Sequence, residues 1–546
     1  MRRITVAFIL AVMLVSFAGC FGIPANIAGS DTPSAEASEK TARIESQLAE
    51  EVMTPLEDGT LSMSRIDITT KSTGKNALDF VTKPVDRSTA NSIASYTPGY
   101  VIPPEPYYEE CTVTVTDKSN KVTLDAAEAQ VKVRGNWTTS YDKKSLRIKF
   151  DKKQNVLGLN DGAQMKNWVL IAEYKDSSML RDKVLYQMAN EILEPEGYYC
   201  TDAELVELTI NGKYWGVYLL AEHQQINPNR VNITEAEEDY KGTDIGYFIE
   251  FDGYYYTENE EETFIVDYHD NAPLIIYDGT GDTTKTETVF AVKSNDAKRK
   301  VGFTIKSDIY CEEQRDFIAN FVNGVYDIMY EAAYNDKAYE FNADYTALVE
   351  SDLTPREAIE KVVDINSLVN TYIINEVACD ADVYWSSFFM TVDFGEGKNR
   401  KLTFTAPWDF DSALGNIASG RCLDAQGYFA TTAILSTNNK FYALNPWLTV
   451  LAHEDWYREA VSEKWTQIYD SGVFDRAIEM VENDSTQYRD NFKRNFLKWD
   501  NLAKTPVFTT NLAEQGAGKP TYDAAAKFLI NWLKARVEFL NNEWHK

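Results

Sequence analysis

The stretch between residues 364 and 411 most constrains how this chain folds. Asp364 is placed to cap a helix that puts Ile365, Leu368, Val369, Tyr372, Ile373 and Val377 on one face. An Asp380-Ala381-Asp382 loop follows, then a strand over 386–393, a turn over 395–400, a strand over 401–405, and Pro407-Trp408-Asp409-Phe410-Asp411. A hairpin set between two Asp-bearing segments returns the second to the edge where the first began. Carboxylates near 380 and near 410 are therefore expected to face each other. Any one of them, taken alone, is more often a turn former or a helix cap than a catalytic group.

Upstream, the period changes. Residues 111–116, 129–133 and 145–150 alternate as strands, and Trp168 to Ala172 is a continuous apolar run expected as a buried strand. Ser177 is placed as N-cap of a helix carrying Leu180, Val184, Leu185, Met188 and Ile192. Asn211-Gly212 between two apolar runs predicts a hairpin. Tyr214, Trp215 and Tyr218 on that hairpin read as core packing rather than a sugar platform. Phe317, Phe321, Val325 and Met329 mark a further helix, and the tail from about 445 is helical and rich in tryptophan. The fold class expected is α+β.

The amino terminus addresses the chain. Arg2 and Arg3 precede an apolar run from Ile4 to Phe17, too short to span a bilayer, and Phe17-Ala18-Gly19-Cys20 is similar to a lipoprotein processing site. Residues 1–19 are expected to be a signal peptide, Cys20 the lipidated terminus, and the location the extracytoplasmic side of a cell membrane. Residues 20–102, rich in Ala, Ser, Thr and Glu, are expected to be a tether, with Pro103-Pro104-Glu105-Pro106 marking entry to the folded part.

Several chemistries are excluded. A net charge of −30 argues against nucleic acid. Five further cysteines, Cys111, Cys200, Cys311, Cys379 and Cys422, have no Cys-x-x-Cys spacing, which argues against zinc clusters. An exported chain permits disulfides, but an odd number leaves at least one thiol unpaired within the chain. None of the four histidines has a second at i+4. Gly516-Ala517-Gly518-Lys519 fails as a phosphate-binding loop, because Ala513 and Pro520 stand where Gly and Ser or Thr are required. No Gly-x-Ser-x-Gly elbow is present.

What remains is the order that protein kinases use: an Asp-bearing loop, a hairpin, a second Asp cluster. Phosphoryl transfer needs one carboxylate to direct the attacking hydroxyl and others to hold a divalent ion against the phosphates. Further segments extend the likeness: Val133-Arg134-Gly135-Asn136, Lys143-Lys144-Ser145-Leu146-Arg147-Ile148-Lys149, Leu157-Gly158-Leu159, Asp176-Ser177 with Leu180-Arg181, residues 211–218, Gly246-Tyr247-Phe248-Ile249-Glu250-Phe251-Asp252, and Asn375-Glu376-Val377 leading to Asp382. On these motifs the chain resembles the CotH kinase-like family of atypical protein kinases, over about residues 105–420. The resemblance implies a kinase-like two-lobed fold, with a small lobe at 103–225, a large lobe at 226–425 and a helical extension at 426–546. It also implies ATP and Mg²⁺ or Mn²⁺ as cofactors, serine on a protein as acceptor, and a link to spore coats or cell surfaces.

Carried over residue by residue, the resemblance makes Asp382 the catalytic aspartate and Asp409 a metal ligand. Asp411 and Ser387 join the metal shell, and Asp380 is a secondary candidate. For the nucleotide phosphates the candidates are Lys149, Lys144, Arg134 and Arg181, with Glu191 as a possible lysine partner. Only Gly135 loosens the presumed phosphate loop, which points to side chains rather than backbone N–H groups as phosphate donors. The rival expectation is a non-catalytic surface module that binds cell-wall polysaccharide or a protein partner.

Overall fold

The computed structural model describes residues 47–86 apart from 49 and 53, residue 90, and residues 107–289, 301–417, 421–435 apart from 433, 442–509 and 518–546. The apolar leader, Cys20 and the proline run at 103–106 lie outside the described residues.

Seven strands close into a barrel: β1 (Ser64–Thr70), β2 (Glu109–Thr116), β3 (Val122–Val133), β4 (Leu146–Gln154), β5 (Met165–Ile171), β6 (Ala203–Ile210) and β7 (Lys213–Glu222), in the order β1-β2-β3-β4-β5-β7-β6. All pairings are antiparallel except β1 with β6, which closes the ring in parallel with Ser64 beside Val206. Ile66, Val113, Val131, Ile148, Trp168, Leu208 and Tyr218 fill the interior as a separate hydrophobic core. The β6–β7 hairpin turns on Asn211 and Gly212, both at positive φ (52° and 72°), a geometry that Asn and Gly adopt with least strain.

The first correction concerns the amino-terminal boundary. Residues 20–102 were expected to be a tether, yet β1 is a barrel stave, and Leu48 and Val52 bury against Tyr214. The strand was hidden because Ser64–Thr70 alternates Ile66 and Ile68 with polar residues over only seven positions, inside a stretch of polar composition.

A larger core lies beside the barrel. Its sheet contains β8 (Gly246–Asp252), β9 (Thr263–Phe264), β10 (Gly302–Ile305), β11 (Phe388–Asp393) and β12 (Thr403–Phe404), in the order β12-β11-β8-β10-β9. Helices α1 (Arg181–Leu193), α2 (Glu312–Asn335), α3 (Pro355–Val362), α4 (Ile365–Ala378), α5 (Asp455–Asp470), α6 (Val473–Gln487), α7 (Arg489–Trp499) and α8 (Tyr522–Trp544) complete it. The Asp364 side chain accepts from Ser367 N–H at 3.1 Å, so the predicted cap of α4 is present. Ser177, by contrast, caps nothing. The Asp176 carboxylate takes the N–H groups of Leu180 (2.9 Å) and Arg181 (3.0 Å) instead, because a carboxylate accepts several donors at once.

The expected carboxy-terminal extension is not an appendage. α6 packs on α1, α7 on β7, and α5 and α8 on α4. The fully buried Arg536 of α8 donates to the Glu376 backbone carbonyl (2.9 Å and 2.6 Å) and carboxylate (2.6 Å), and also to the carbonyls of Ala425 (3.2 Å) and Gly427 (2.6 Å). Glu376 accepts in addition from the N–H groups of Phe429 and Ala430. Gly415 sits at φ 76°, where a Cβ would meet Trp532 Nε1 at 2.7 Å, so α8 rests directly on the segment that follows Asp411.

Candidate active site

The two Asp-bearing segments meet where β11 and β12 return the chain. Asp380 is buried and accepts from the Asp382 N–H at 3.2 Å, which pins the short turn Ala381–Tyr384. Ser412 Oγ stands between the segments, 3.0 Å from both Asp382 Oδ2 and Asp411 Oδ1, and its single proton can go to either carboxylate. Ser387 Oγ approaches Asp409 Oδ2 at 3.4 Å, and its N–H donates to Glu250 of β8 at 3.0 Å. Asp409 and Ser387 both lie at positive φ (68° and 60°), a conformation that costs non-glycine residues about 1–3 kcal/mol and concentrates at functional sites.

The Asp-Phe-Asp segment is anchored from behind by α1. Asp182 Oδ1 accepts the Phe410 N–H at 2.7 Å, and the Tyr186 hydroxyl lies 3.3 Å from the Asp409 nitrogen. Tyr186 stacks on Trp408 at 5.5 Å and meets Phe410 edge-on at 5.8 Å. The Arg134 guanidinium lies over the Trp408 ring, 5.3 Å from its centre.

Crowded carboxylates raise one another's proton affinity. Burial, then Asp411, Asp382 and Asp182, push the Asp409 carboxyl well above the usual range, and Arg134 only partly opposes this. Asp380 is raised by burial and by Asp382, Asp409 and Asp411. Asp382 is raised by burial, against the pull of Lys175. Asp182 is pushed up to about 7 by burial and Asp411. Glu173, buried beside Asp182, is raised well above its ordinary value, first by burial and then by Asp182.

These raised values give a stability prediction. A carboxyl whose folded pKa lies above the unfolded value of about 4 stabilises the fold fully at low pH, and the contribution is lost as pH rises through the folded pKa. His223 and His453 are depressed by burial and act in the opposite sense only below about pH 6.5, while the buried Lys143, held well below its ordinary value, opposes above it as one group against the several raised carboxyls. Between pH 6.5 and 8, in chelator, the melting temperature is therefore expected to fall as pH rises, and Asp182→Asn is expected to flatten the slope. A melting temperature that climbs over that interval in thermal melts contradicts the assignment.

The sequence candidates divide. Asp382, Asp409, Asp411, Asp380, Ser387 and Arg134 come together. Lys144 does not: its ammonium staples the local turn by donating to the carbonyls of Thr139 (2.8 Å) and Tyr141. Lys149 is exposed on β4. Arg181 is fully buried, paired with Asp176 and donating to the carbonyls of Ala413 (3.1 Å) and Leu414 (3.3 Å). It braces the segment beyond Asp411 and has no surface left for a phosphate. Glu191 pairs with Arg476 of α6 at 2.6 Å, not with a barrel lysine.

The cation missed in the sequence is Lys175, which bonds Asp411 Oδ1 at 3.2 Å and Ser412 Oγ. Burial pulls its ammonium down, but Asp411, Tyr141 and Asp382 more than offset this and leave it raised. Its only signal was its place one residue before Asp176.

Among the described residues no three carboxylate, thiol or imidazole groups form a ready-made metal cage. The set still suits Mg²⁺ or Mn²⁺. Such ions take one or two carboxylates and complete their shell with water and phosphate oxygens. Repelling carboxylates at Asp382, Asp409 and Asp411 also call for a cation.

An acidic centre built on a helix-loop-hairpin-loop frame, with arginine and lysine at its margins, is an arrangement suited to phosphoryl transfer. The CotH kinase protein family model matches residues 131–540, about three quarters of the chain, and the chain belongs to this family. A kinase family implies ATP and a divalent metal. No curated protein matches the sequence. The match includes the carboxy-terminal helices, which the residue 420 limit of the resemblance had left out, and it begins inside β3.

Proposed function

We propose that this protein is an exported, lipid-anchored atypical protein serine kinase that moves the γ-phosphoryl group of ATP to serine on a protein partner. The observation that carries the reading is the convergence of Asp382 and Asp409 from opposite ends of one hairpin, with Ser412 linking Asp382 to Asp411. The barrel and the larger core take the parts of the small and large lobes. Asp382 directs the acceptor hydroxyl and, with its raised proton affinity, receives its proton. Asp409 and Asp411 hold the divalent ion, with Ser387 beside Asp409, and Arg134 faces the phosphates. The bound ion supplies charge neutralisation at the phosphate oxygens. Lys175 keeps Asp411 and Ser412 in place.

Cys20 is proposed to carry the lipid and to hold the protein on the extracytoplasmic face of a membrane, at a spore coat or cell surface. Among the described residues no helix is long and apolar enough to cross a membrane.

The test is phosphate transfer by the purified protein from labelled ATP to a serine-rich protein, with Mn²⁺ and with Mg²⁺. Incorporation that requires metal and maps to serine is the expected result. Its absence with either ion, together with glycan binding by calorimetry, favours the non-catalytic surface module. Mass spectrometry of the membrane fraction reads the anchor directly, since an unmodified residue at position 20 removes it.

A further inference from the structure

Two of the five described cysteines stand at the two ends of the stretch that carries the aspartates. Cys379 ends α4 in the left-handed region (φ 46°), a position that Gly or Asn fills with least strain, and it directly precedes Asp380. Its Sγ donates to the Glu376 carbonyl oxygen at 3.4 Å, the same oxygen to which Arg536 donates at 2.9 Å and 2.6 Å. The other arm of that guanidinium holds the carbonyls of Ala425 (3.2 Å) and Gly427 (2.6 Å), and Trp532 Nε1 donates to the Leu423 carbonyl at 3.0 Å. The side chains of α8 that grip the end of α4 therefore also draw the Cys422 segment against it.

The structure describes all five cysteines as thiols, and only these two are neighbours. Both are buried in the larger core, with 1% exposure or less. Burial holds the Cys422 thiol well above its ordinary value, and the next group acting on it is Cys379, ahead of Asp380. The other three lie elsewhere. Cys111 is in the barrel core, Cys200 donates to the carbonyls of Tyr186 and Thr201, and Cys311 directly precedes α2.

We propose that Cys379 and Cys422 are a disulfide pair, oxidised on the extracytoplasmic side of the membrane, which closes residues 379–422 into one covalent ring. The ring holds Asp380, Asp382, Ser387, Asp409 and Asp411 together with both strands of the hairpin, β11 and β12. Its formation takes two protons and two electrons from the thiols. One thiolate attacks the exchangeable disulfide of a thiol–disulfide oxidoreductase, the second thiolate displaces that mixed disulfide, and the oxidant leaves as its dithiol. A buried thiol is inert, so the exchange takes place before the core closes over the pair. This inference rests on the exported reading for its oxidant, but not for the adjacency of the two sulfurs.

Peptide mapping tests the pair in two samples of the full chain: protein made with its own leader and taken directly from cells, and purified protein refolded in oxidised and reduced glutathione. Each is quenched in acid, alkylated in denaturant and digested without reductant. The expected result in both is a Cys379 peptide joined to a Cys422 peptide, with Cys111, Cys200 and Cys311 alkylated. In thermal melts the reduced protein is expected to melt about 5 °C below the oxidised one, a difference that Cys422→Ala abolishes and Cys200→Ala keeps. Alkylation of both Cys379 and Cys422 in the oxidised refolded sample, or a link from either to a different cysteine, overturns the pair. A link in that sample, with both thiols alkylated in protein from cells, sustains the pair and sinks the exported location.

Discussion

Asp409→Asn is expected to lower phosphoryl transfer about 10³-fold while raising the melting temperature of the metal-free protein. The two effects have one cause. A metal ligand contributes several kcal/mol of transition-state stabilisation, and each ~1.4 kcal/mol is a factor of ten. Without the ion, the same carboxylate is buried among Asp411, Asp382 and Asp182, and its charged form is held at a loss. The amide has nearly the same shape and no charge, so it removes repulsion together with function. The comparison requires kcat under saturating ATP and Mn²⁺ for both proteins, and melts in chelator. A variant that keeps more than a tenth of wild-type kcat rules out Asp409 as a principal metal ligand. A variant that melts lower in chelator rules out the electrostatic account.

The second large effect lies on a helix far from the aspartates in sequence. Arg536→Ala is expected to destabilise the protein by about 3–5 kcal/mol, the loss typical when one partner of a buried ion pair is removed and the other stays buried. Arg536 and Glu376 are both fully buried, and Glu376 lies in the last turn of α4, just before Asp380 and Asp382. Urea unfolding followed by tryptophan fluorescence measures the loss, and the barrel and the larger core are fitted as separate transitions if two appear. Only the transition of the larger core is expected to move. A shift under 1 kcal/mol means that the carboxy-terminal helix contributes little to holding the loop that carries Asp380 and Asp382.

Much of this arrangement was legible because local signals and long-range ones agree. The Asp364 cap, the Asn211-Gly212 turn and the hairpin between Asp382 and Asp409 are each specified by a few adjacent residues, and the fold uses all three. The cations were harder to place. Lys144, Lys149, Arg134 and Arg147 sit on one strand–turn–strand unit, and strand alternation separates inward from outward residues without saying which outward residues another element will cover. Lys144 turned back onto its own loop, Lys149 stayed exposed, Arg134 came to lie on Trp408, and Arg147 donates to the Asn167 amide oxygen. Lys175 carries no motif at all, since its role depends on Asp411, which is 236 positions away. The amino-terminal strand was lost to composition, because seven alternating residues were outweighed by the polar stretch around them.

That strand also governs the order in which the molecule can be assembled. Ser64 leaves the ribosome early, but its parallel neighbour Val206 follows 142 positions later. Until then β1 has only β2 to hold, and parallel pairing at such separation is a slow step in folding. Closure of the ring is therefore expected to come after β2–β5 have formed, with the open edges of β1 and β6 exposed to other chains in the interval. A shortened protein that begins at residue 100 would keep the whole matched region 131–540 but lack β1, and the edges of β2 and β6 that β1 joins would stay permanently open.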